Sequence, residues 1–308
     1  MEKKDAIKES SVQKYFYILI GVTVIFWAFA FPLIKIGLEE GLSPINLTIS
    51  RLFIGCIIFL IFFVSYKKNF SKLQKNDIIP IFLLGFFGII IYHLSLNYGE
   101  LYVSPSVASL IIATIPIFIV ILAAIFLKEK TTPKILFGII ISLCGVVIIS
   151  IAGTPNASFE IKYLSAAAAV LVASIVGAIY TIAGKKLLER YSPLSLTVYA
   201  FLLGIIGLIP FIRLSLFEEL MNLSITGWIA VIFLGIFPTF IAYIFWFVTL
   251  EVKTASELSV YVYLIPVVST VISHFLIDEK ITIFFFFGGI LVIAGLFIVN
   301  KKYKVRKL

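Results

Sequence analysis

The sequence predicts an all-α membrane protein: ten transmembrane helices in two inverted five-helix repeats, with both termini in the cytoplasm. Three observations carry that prediction. The chain is 61% hydrophobic and only 13% charged, with a mean hydropathy of +1.15, so the polar surface needed by soluble domains of this length is missing. Its apolar residues fall in runs of about twenty, the length a helix needs to cross a hydrocarbon core. Displaced by about 150 residues, the chain also matches itself. Asn97–Ile149 reads against Phe247–Val299 without a gap, setting Ser106 on Ser256, Pro116 on Pro266, Glu129-Lys130 on Glu279-Lys280 and Gly145 on Gly295. Upstream, Leu84-Gly85 meets Leu234-Gly235, and Lys35, Leu38 and Glu39 meet Lys185, Leu188 and Glu189.

Taken in order, the predicted spans are 15–38, 45–66, 78–98, 105–127 and 135–152, then 163–183, 194–212, 226–248, 255–276 and 282–300. Ser43-Pro44, Ser104-Pro105, Thr132-Pro133 and Ser192-Pro193 each place a capping hydroxyl before a proline suited to a helix's first turn. The first repeat is thus 15–152 and the second 163–300, with a cytoplasmic tail at 1–14 and a basic one at 301–308. The charged leader runs into a first span too long for the apolar core of a signal peptide. Of the 25 Lys and Arg, 20 fall on the side of the N-terminus, three on the other, and Lys35 and Arg51 within spans. The positive-inside bias therefore puts both termini in the cytoplasm, in a multi-pass protein of the cell membrane. It also accounts for the net charge of +9 without a nucleic-acid partner. Five spans per half is an odd number, so the second half crosses in the opposite sense. That inverted symmetry is typical of secondary transporters, whose site lies between the halves near the midplane.

The segment Asn97–Ile149, with Ser-Val-Ala-Ser-Leu-Ile-Ile, a mid-helix Pro116-Ile117-Phe118, Phe-Leu-Lys-Glu-Lys and Gly-Val-Val-Ile-Ile, resembles the EamA domain of the drug/metabolite transporter superfamily. Phe26-Trp27-Ala28, Lys35 and Arg51 resemble it too, and the resemblance occurs twice and covers nearly the whole chain. It implies ten helices in two inverted halves and the export or uptake of small metabolites such as amino acids. The second copy departs from the first: Gly177 replaces Trp27, Ala200 replaces Arg51, and Tyr261-Val262-Tyr263 precedes Pro266.

These departures guide the choice of site residues. Trp27 falls near the midplane and not in an interfacial belt, whereas Trp228 and Trp246 are read as nearer the span ends. Arg51, about two turns into its span, either faces a partner or wet cavity or snorkels to the interface. Tyr92 and His93, with Tyr243 at the position matching His93, form a polar-aromatic set; Tyr261 is a further pocket candidate. Glu257 is read as the one acid within a span, and so as a coupling carboxylate or an interfacial glutamate. Lys35 is read as a coupling group or a snorkelling lysine. Pro116 and Pro266 each free a carbonyl one turn earlier and are hinge or cavity-shaping candidates.

Other chemistry finds no support. There is no Gly-Lys-Ser/Thr loop for phosphates, and the two histidines are far apart with no His/Glu cluster. No metal site, cofactor or catalytic constellation is expected, and an intramembrane enzyme or lipid-handling protein is a remote alternative. Cys56 and Cys144 read as small apolar residues. The expected partners are a small-molecule substrate and membrane lipid. The expected function is secondary transport of an amino acid or related metabolite by alternating access, or else exchange of anionic solutes on Lys35 and Arg51. Asn156-Ala157-Ser158 fits a glycosylation acceptor.

Overall fold

The computed structural model describes residues 2–130, 132–152, 161–280 and 282–300. The Asn156-Ala157-Ser158 acceptor and the 301–308 tail lie outside them. Among the described residues the chain is helical, with no strand. Two sets of five helices follow one another: α1 (Glu2–Glu39), α2 (Pro44–Ser65), α3 (Lys75–Tyr102), α4 (Pro105–Leu127) and α5 (Pro133–Ala152), then α6 (Ile161–Leu187), α7 (Pro193–Phe211), α8 (Ile225–Val252), α9 (Ala255–Ile277) and α10 (Ile283–Asn300). Eight of these are long and apolar enough to cross a membrane; α5 and α10 carry shorter apolar stretches, Pro133–Gly145 and Phe286–Val299. The chain is accordingly a multi-pass membrane protein.

The serine–proline pairs act as the spacing predicts. Ser43, Ser104 and Ser192 cap α2, α4 and α7, each accepting from the backbone N–H three residues on, with proline following in the first turn. The cap satisfies one of the donors that every helix start leaves orphaned.

The two halves also bind each other through equivalent residues. We call the face at which α1 begins the near face and the opposite one the far face. Lys128 and Asp278 end α4 and α9 in the left-handed region, at φ 54° and 53°. Each is followed by a glutamate that crosses to the other half. On the near face Glu129 accepts from the N–H of Ala255 at 2.9 Å and from the N–H and hydroxyl of Ser256 at 3.1 and 2.7 Å, capping α9. On the far face Glu279 lies against Ser106 and Ser104 at the start of α4 and against Ser273. Burial pushes the pKa of Glu279 up, against the downward pull of those hydroxyls. The repeated lysines are equivalent as well. Lys185 donates to the carbonyls of Leu250 at 2.6 Å and Lys253 at 2.9 Å, closing the end of α8, and Lys35 reaches the carbonyl of Glu100 near the end of α3 at 3.5 Å. A cation is favoured at such an end by the helix dipole.

Loops lock the same two faces. On the near face the buried Asp77 pairs with Arg190 at 2.8 Å and accepts from the Tyr191 hydroxyl. On the far face a short amphipathic helix that the sequence pattern did not reveal, Leu214–Met221, supplies Glu219. Its carboxylate accepts from the N–H and hydroxyl of Ser43 at 2.8 and 3.0 Å. The exposed Glu40 accepts from Ser224, which holds its pKa below the usual carboxylate value.

Four of the helices are interrupted. α4 breaks at Ala113–Thr114 and resumes at Ile115, while α9 narrows to a 3₁₀ turn at Val260–Tyr263 before resuming at Leu264. Pro116 and Pro266 thus open the second halves of their helices, where a missing N–H costs least. The carbonyl of Ile111, at the first break, accepts from the Thr114 hydroxyl at 2.7 Å and from Ser174 of α6 at 2.9 Å. α3 and α8 carry matching π-helical segments, Phe86–Ile91 and Gly235–Ile241. Side-chain patterning contains no signal for such a widened turn.

α5 and α10 pack chiefly on each other, with backbones close enough that a Cβ on Gly145 would meet the carbonyl of Gly288 and one on Gly295 that of Gly138. Gly145→Val should therefore lower stability by about 1–3 kcal/mol, the usual cost of overpacking. Thermal unfolding of the purified protein measures it; a melting temperature equal to wild type would contradict this close approach.

Candidate functional site

Between the two halves lies a cavity with about 680 Å³ of empty space, its open side included. That upper bound restricts an occupant of this conformation to a small molecule. The wall combines Trp27, Ala30 and Phe31 of α1, Arg51 of α2 and Gly88, Tyr92, His93 and Leu96 of α3. It is completed by Ile112 and Ile115 of α4, Gly177, Tyr180 and Thr181 of α6, Tyr243 and Trp246 of α8, and Val262 and Ile265 of α9. Seven helices from both halves meet there, and the breaks in α4 and α9 place Ile115 and Ile265 in the wall.

Arg51 is the one cation in that wall. It is 1% exposed, and its Nε and Nη1 have no hydrogen-bond partner. Nη2 makes a long contact of 3.5 Å to the hydroxyl of Thr239. Pro238 explains that hydroxyl's position. Proline removes the N–H that would serve the carbonyl of Leu234, and the Thr239 hydroxyl donates to this carbonyl instead at 2.7 Å. A guanidinium stays charged at any physiological pH, so two of its three nitrogens present unspent donors in a water-poor site.

Aromatic groups form the rest of the chamber. Trp27 donates to the carbonyl of Pro238 at 3.2 Å and packs on Trp246 and Tyr243, with ring centroids 5.1 and 5.8 Å away. Tyr243 also contacts Tyr180, and its hydroxyl lies 3.4 Å from His93 Nε2. His93 Nδ1 and the Tyr180 hydroxyl have no partner. The differences between the copies converge here. Gly177, standing where the first copy has Trp27, leaves room for Tyr92: a Cβ at 177 would lie 3.2 Å from that ring.

Of the residues singled out from sequence, Trp27, Arg51, Tyr92, His93 and Tyr243 line the cavity together. Tyr261 does not line it; it is buried near the near face with its ring 5.6 Å from that of Phe16. Lys35 is outside the cavity as well. It closes the end of α3 and sits 3.9 Å from Glu39, which removes it from any clamp with Arg51. Glu257 lies in the first turn of α9, where its N–H bonds to the capping Thr254. It is not the one acid within a span. α3 extends beyond the predicted residue 98 to Tyr102, and so contains Glu100, which is 0% exposed with both carboxylate oxygens unpartnered. Trp246, read as interfacial, is 3% exposed and in the cavity wall. Its recurrence three residues after Tyr243 on a helical face was the available signal. Pro116 and Pro266 are outside the wall but border Ile115 and Ile265, which belong to it.

Two sets of five helices around a buried, largely aromatic chamber holding one guanidinium define the class: a multi-pass membrane transporter. Comparison with known proteins specifies it. The EamA-like transporter family matches residues 14–151 and again 164–301, and the chain belongs to that family. An uncharacterized transporter of Archaeoglobus fulgidus is 39% identical over 93% of this chain and 99% of its own length. The uncharacterized transporter YdfC of Bacillus subtilis is 34% identical over 92% and 90%. A probable terminal-alkyne amino-acid exporter of Streptantibioticus cattleyicolor is 30% identical over 91% and 92%. One solved crystal structure, 18% identical, shares the fold with a TM-score of 0.69 over 92% of this chain and 95% of its own.

The Thr239 hydroxyl should be needed by Leu234 before it is needed by any ligand. Thr239→Val should cost about 0.5–1.5 kcal/mol, the net worth of one hydrogen bond, read as a lower melting temperature; Thr239→Ser should restore it. Equal stability of Thr239→Val and wild type would show that this carbonyl finds another donor.

Proposed function

We propose that this protein is a secondary transporter of amino acids or closely related carboxylates, working by alternating access between its two halves. The observation that carries this reading is Arg51. A guanidinium held in a membrane interior with most of its hydrogen-bond donors unspent marks a functional site, and such donors suit a carboxylate. The aromatic end formed by Trp27, Tyr243 and Trp246 suits an uncharged side chain. The relative described as a probable amino-acid exporter supports both the cargo class and the direction, export. The near face is read as cytoplasmic from the Lys and Arg distribution, with ten crossings and both termini inside in the cell membrane. Of the anionic-exchanger alternative, only Arg51 remains at the cavity, so the clamp with Lys35 is not retained. Pro116 and Pro266, beside the breaks in α4 and α9, are proposed as the places where these helices bend. The reciprocal Glu129 and Glu279 contacts are proposed as the bonds that reform as the halves rock.

A flux assay tests the reading. With the protein in proteoliposomes, counterflow of a panel of amino acids should reveal at least one cargo, and Arg51→Ala should lower its flux about 10- to 150-fold. That is the loss of one charge-assisted bond worth about 1.5–3 kcal/mol. The corresponding amino-acid amide, lacking the carboxylate, should be carried poorly and equally by both proteins. Absence of flux across the whole panel with folded protein sinks the proposal, and unchanged flux in Arg51→Ala sinks the anchor.

A further inference from the structure

α3 holds a second buried ionisable group that the transport reading leaves unused. Glu100 lies seven residues beyond His93 and four beyond Leu96, on the stripe of α3 that faces the cavity. It is 0% exposed, and neither carboxylate oxygen has a hydrogen-bond partner. Its neighbours within the bundle are charged. Arg51 acts on it from α2, Lys35 from α1 and Glu279 from the far-face end of α9, while Tyr92 feels it from α3 itself. One turn nearer the cavity, Asn97 donates to Thr48 at 2.8 Å, and its own carbonyl oxygen is unpartnered. Glu100 thus stands between Arg51 and the far-face groups Lys35 and Glu279, in the direction from which a proton or cargo would enter on that side.

Charge bookkeeping then links the two groups. Arg51 cannot give up its proton, and a net charge is costly in so dry a place. With the chamber empty, an ionised Glu100 supplies the compensating charge. When a carboxylate occupies Arg51, two negative groups share one guanidinium, and like charges at close quarters favour protonation of one of them. Glu100 is that one, because it has no hydrogen-bond donor of its own.

We propose that Glu100 is the proton carrier of the site, taking up a proton when a carboxylate settles on Arg51 and releasing it when that carboxylate leaves. The proposal rests on Arg51 as the anchor but not on amino acids as the cargo. Linkage makes the effect reciprocal: protonating Glu100 strengthens carboxylate binding by the same factor. The step is a proton transfer alone: an O–H bond forms at a Glu100 oxygen as one breaks in a hydronium ion, and the reverse occurs on release.

Infrared difference spectroscopy of the full-length protein in nanodiscs tests it without assuming the natural cargo. The band of protonated Glu100 is the one absent from Glu100→Gln. Its intensity at fixed pH is then followed as benzoate, labelled with ¹³C at the carboxyl, and separately leucine, are added. The expected result is a several-fold growth of that band, consistent with couplings of about 5- to 150-fold between linked sites, and no growth in Arg51→Gln. Glu100→Asp should retain a ligand-dependent band. Growth with benzoate but not leucine would uphold the proton carrier and count against amino acids as cargo. A spectrum with no carboxyl band lost in Glu100→Gln, or a band indifferent to both probes, would overturn the proposal. So would growth that persists in Arg51→Gln.

Discussion

A guanidinium buried among aromatic rings, with most of its donors unspent, is the constraint around which the rest of this structure is arranged. Isolated charge in a low-dielectric interior is expensive, and Arg51 is 1% exposed with Nε and Nη1 unpartnered. What holds it is geometric. The π-helical segment Gly235–Ile241, created around Pro238, turns the Thr239 hydroxyl to the carbonyl of Leu234 and toward Nη2. The same proline's carbonyl takes the indole N–H of Trp27. One irregular turn of α8 therefore orients both the cation and the largest aromatic group of the chamber, and each of these comes from the opposite half of the chain.

The symmetric features serve a different purpose. Glu129 and Glu279, each thrown across by a left-handed residue, cap or brace the helix start of the other half. Lys35 and Lys185 close the ends of α3 and α8. Such contacts are made at helix termini, where backbone groups are orphaned and a charged side chain interacts with the dipole. The glutamates join the halves at opposite faces, each lysine closes a helix end within its own half, and the middle is left to the residues that the copies do not share. The two lysines are not equally engaged: Lys185 reaches three carbonyls, the nearest at 2.6 Å, whereas Lys35 reaches one, at 3.5 Å.

Much of this was legible in residue order. Hydropathy located the helices within a few residues, since an apolar run of about twenty residues can satisfy its own backbone in lipid only as a helix. Comparing the copies directed attention to Trp27, Arg51, Tyr92, His93 and Tyr243, which the fold brings to one cavity. Where the reading failed, the reason is physical. Glu100 looked like a loop acid because a charged residue near a span's end is ordinarily solvated, and only tertiary packing reveals that α3 continues past it. Tyr261, chosen as a departure between the copies, packs on Phe16 while its neighbour Val262 takes the place in the wall, and Glu257, chosen as an acid within a span, lies at the near-face end of α9. The π-helical turns and the short helix Leu214–Met221 depend on which carbonyls neighbouring groups can satisfy, and a sequence pattern does not encode that.

The central claim is that the carboxylate of the cargo rests on Arg51 at the junction of the halves. An experimental structure of the protein saturated with the amino acid it carries best would address this most directly. The account predicts density in the chamber lined by Trp27, Tyr92 and Tyr243, with a carboxylate within hydrogen-bond distance, about 2.7–3.2 Å, of the Arg51 nitrogens. Cargo seated elsewhere, or in the chamber with its carboxylate turned away from Arg51, would contradict it.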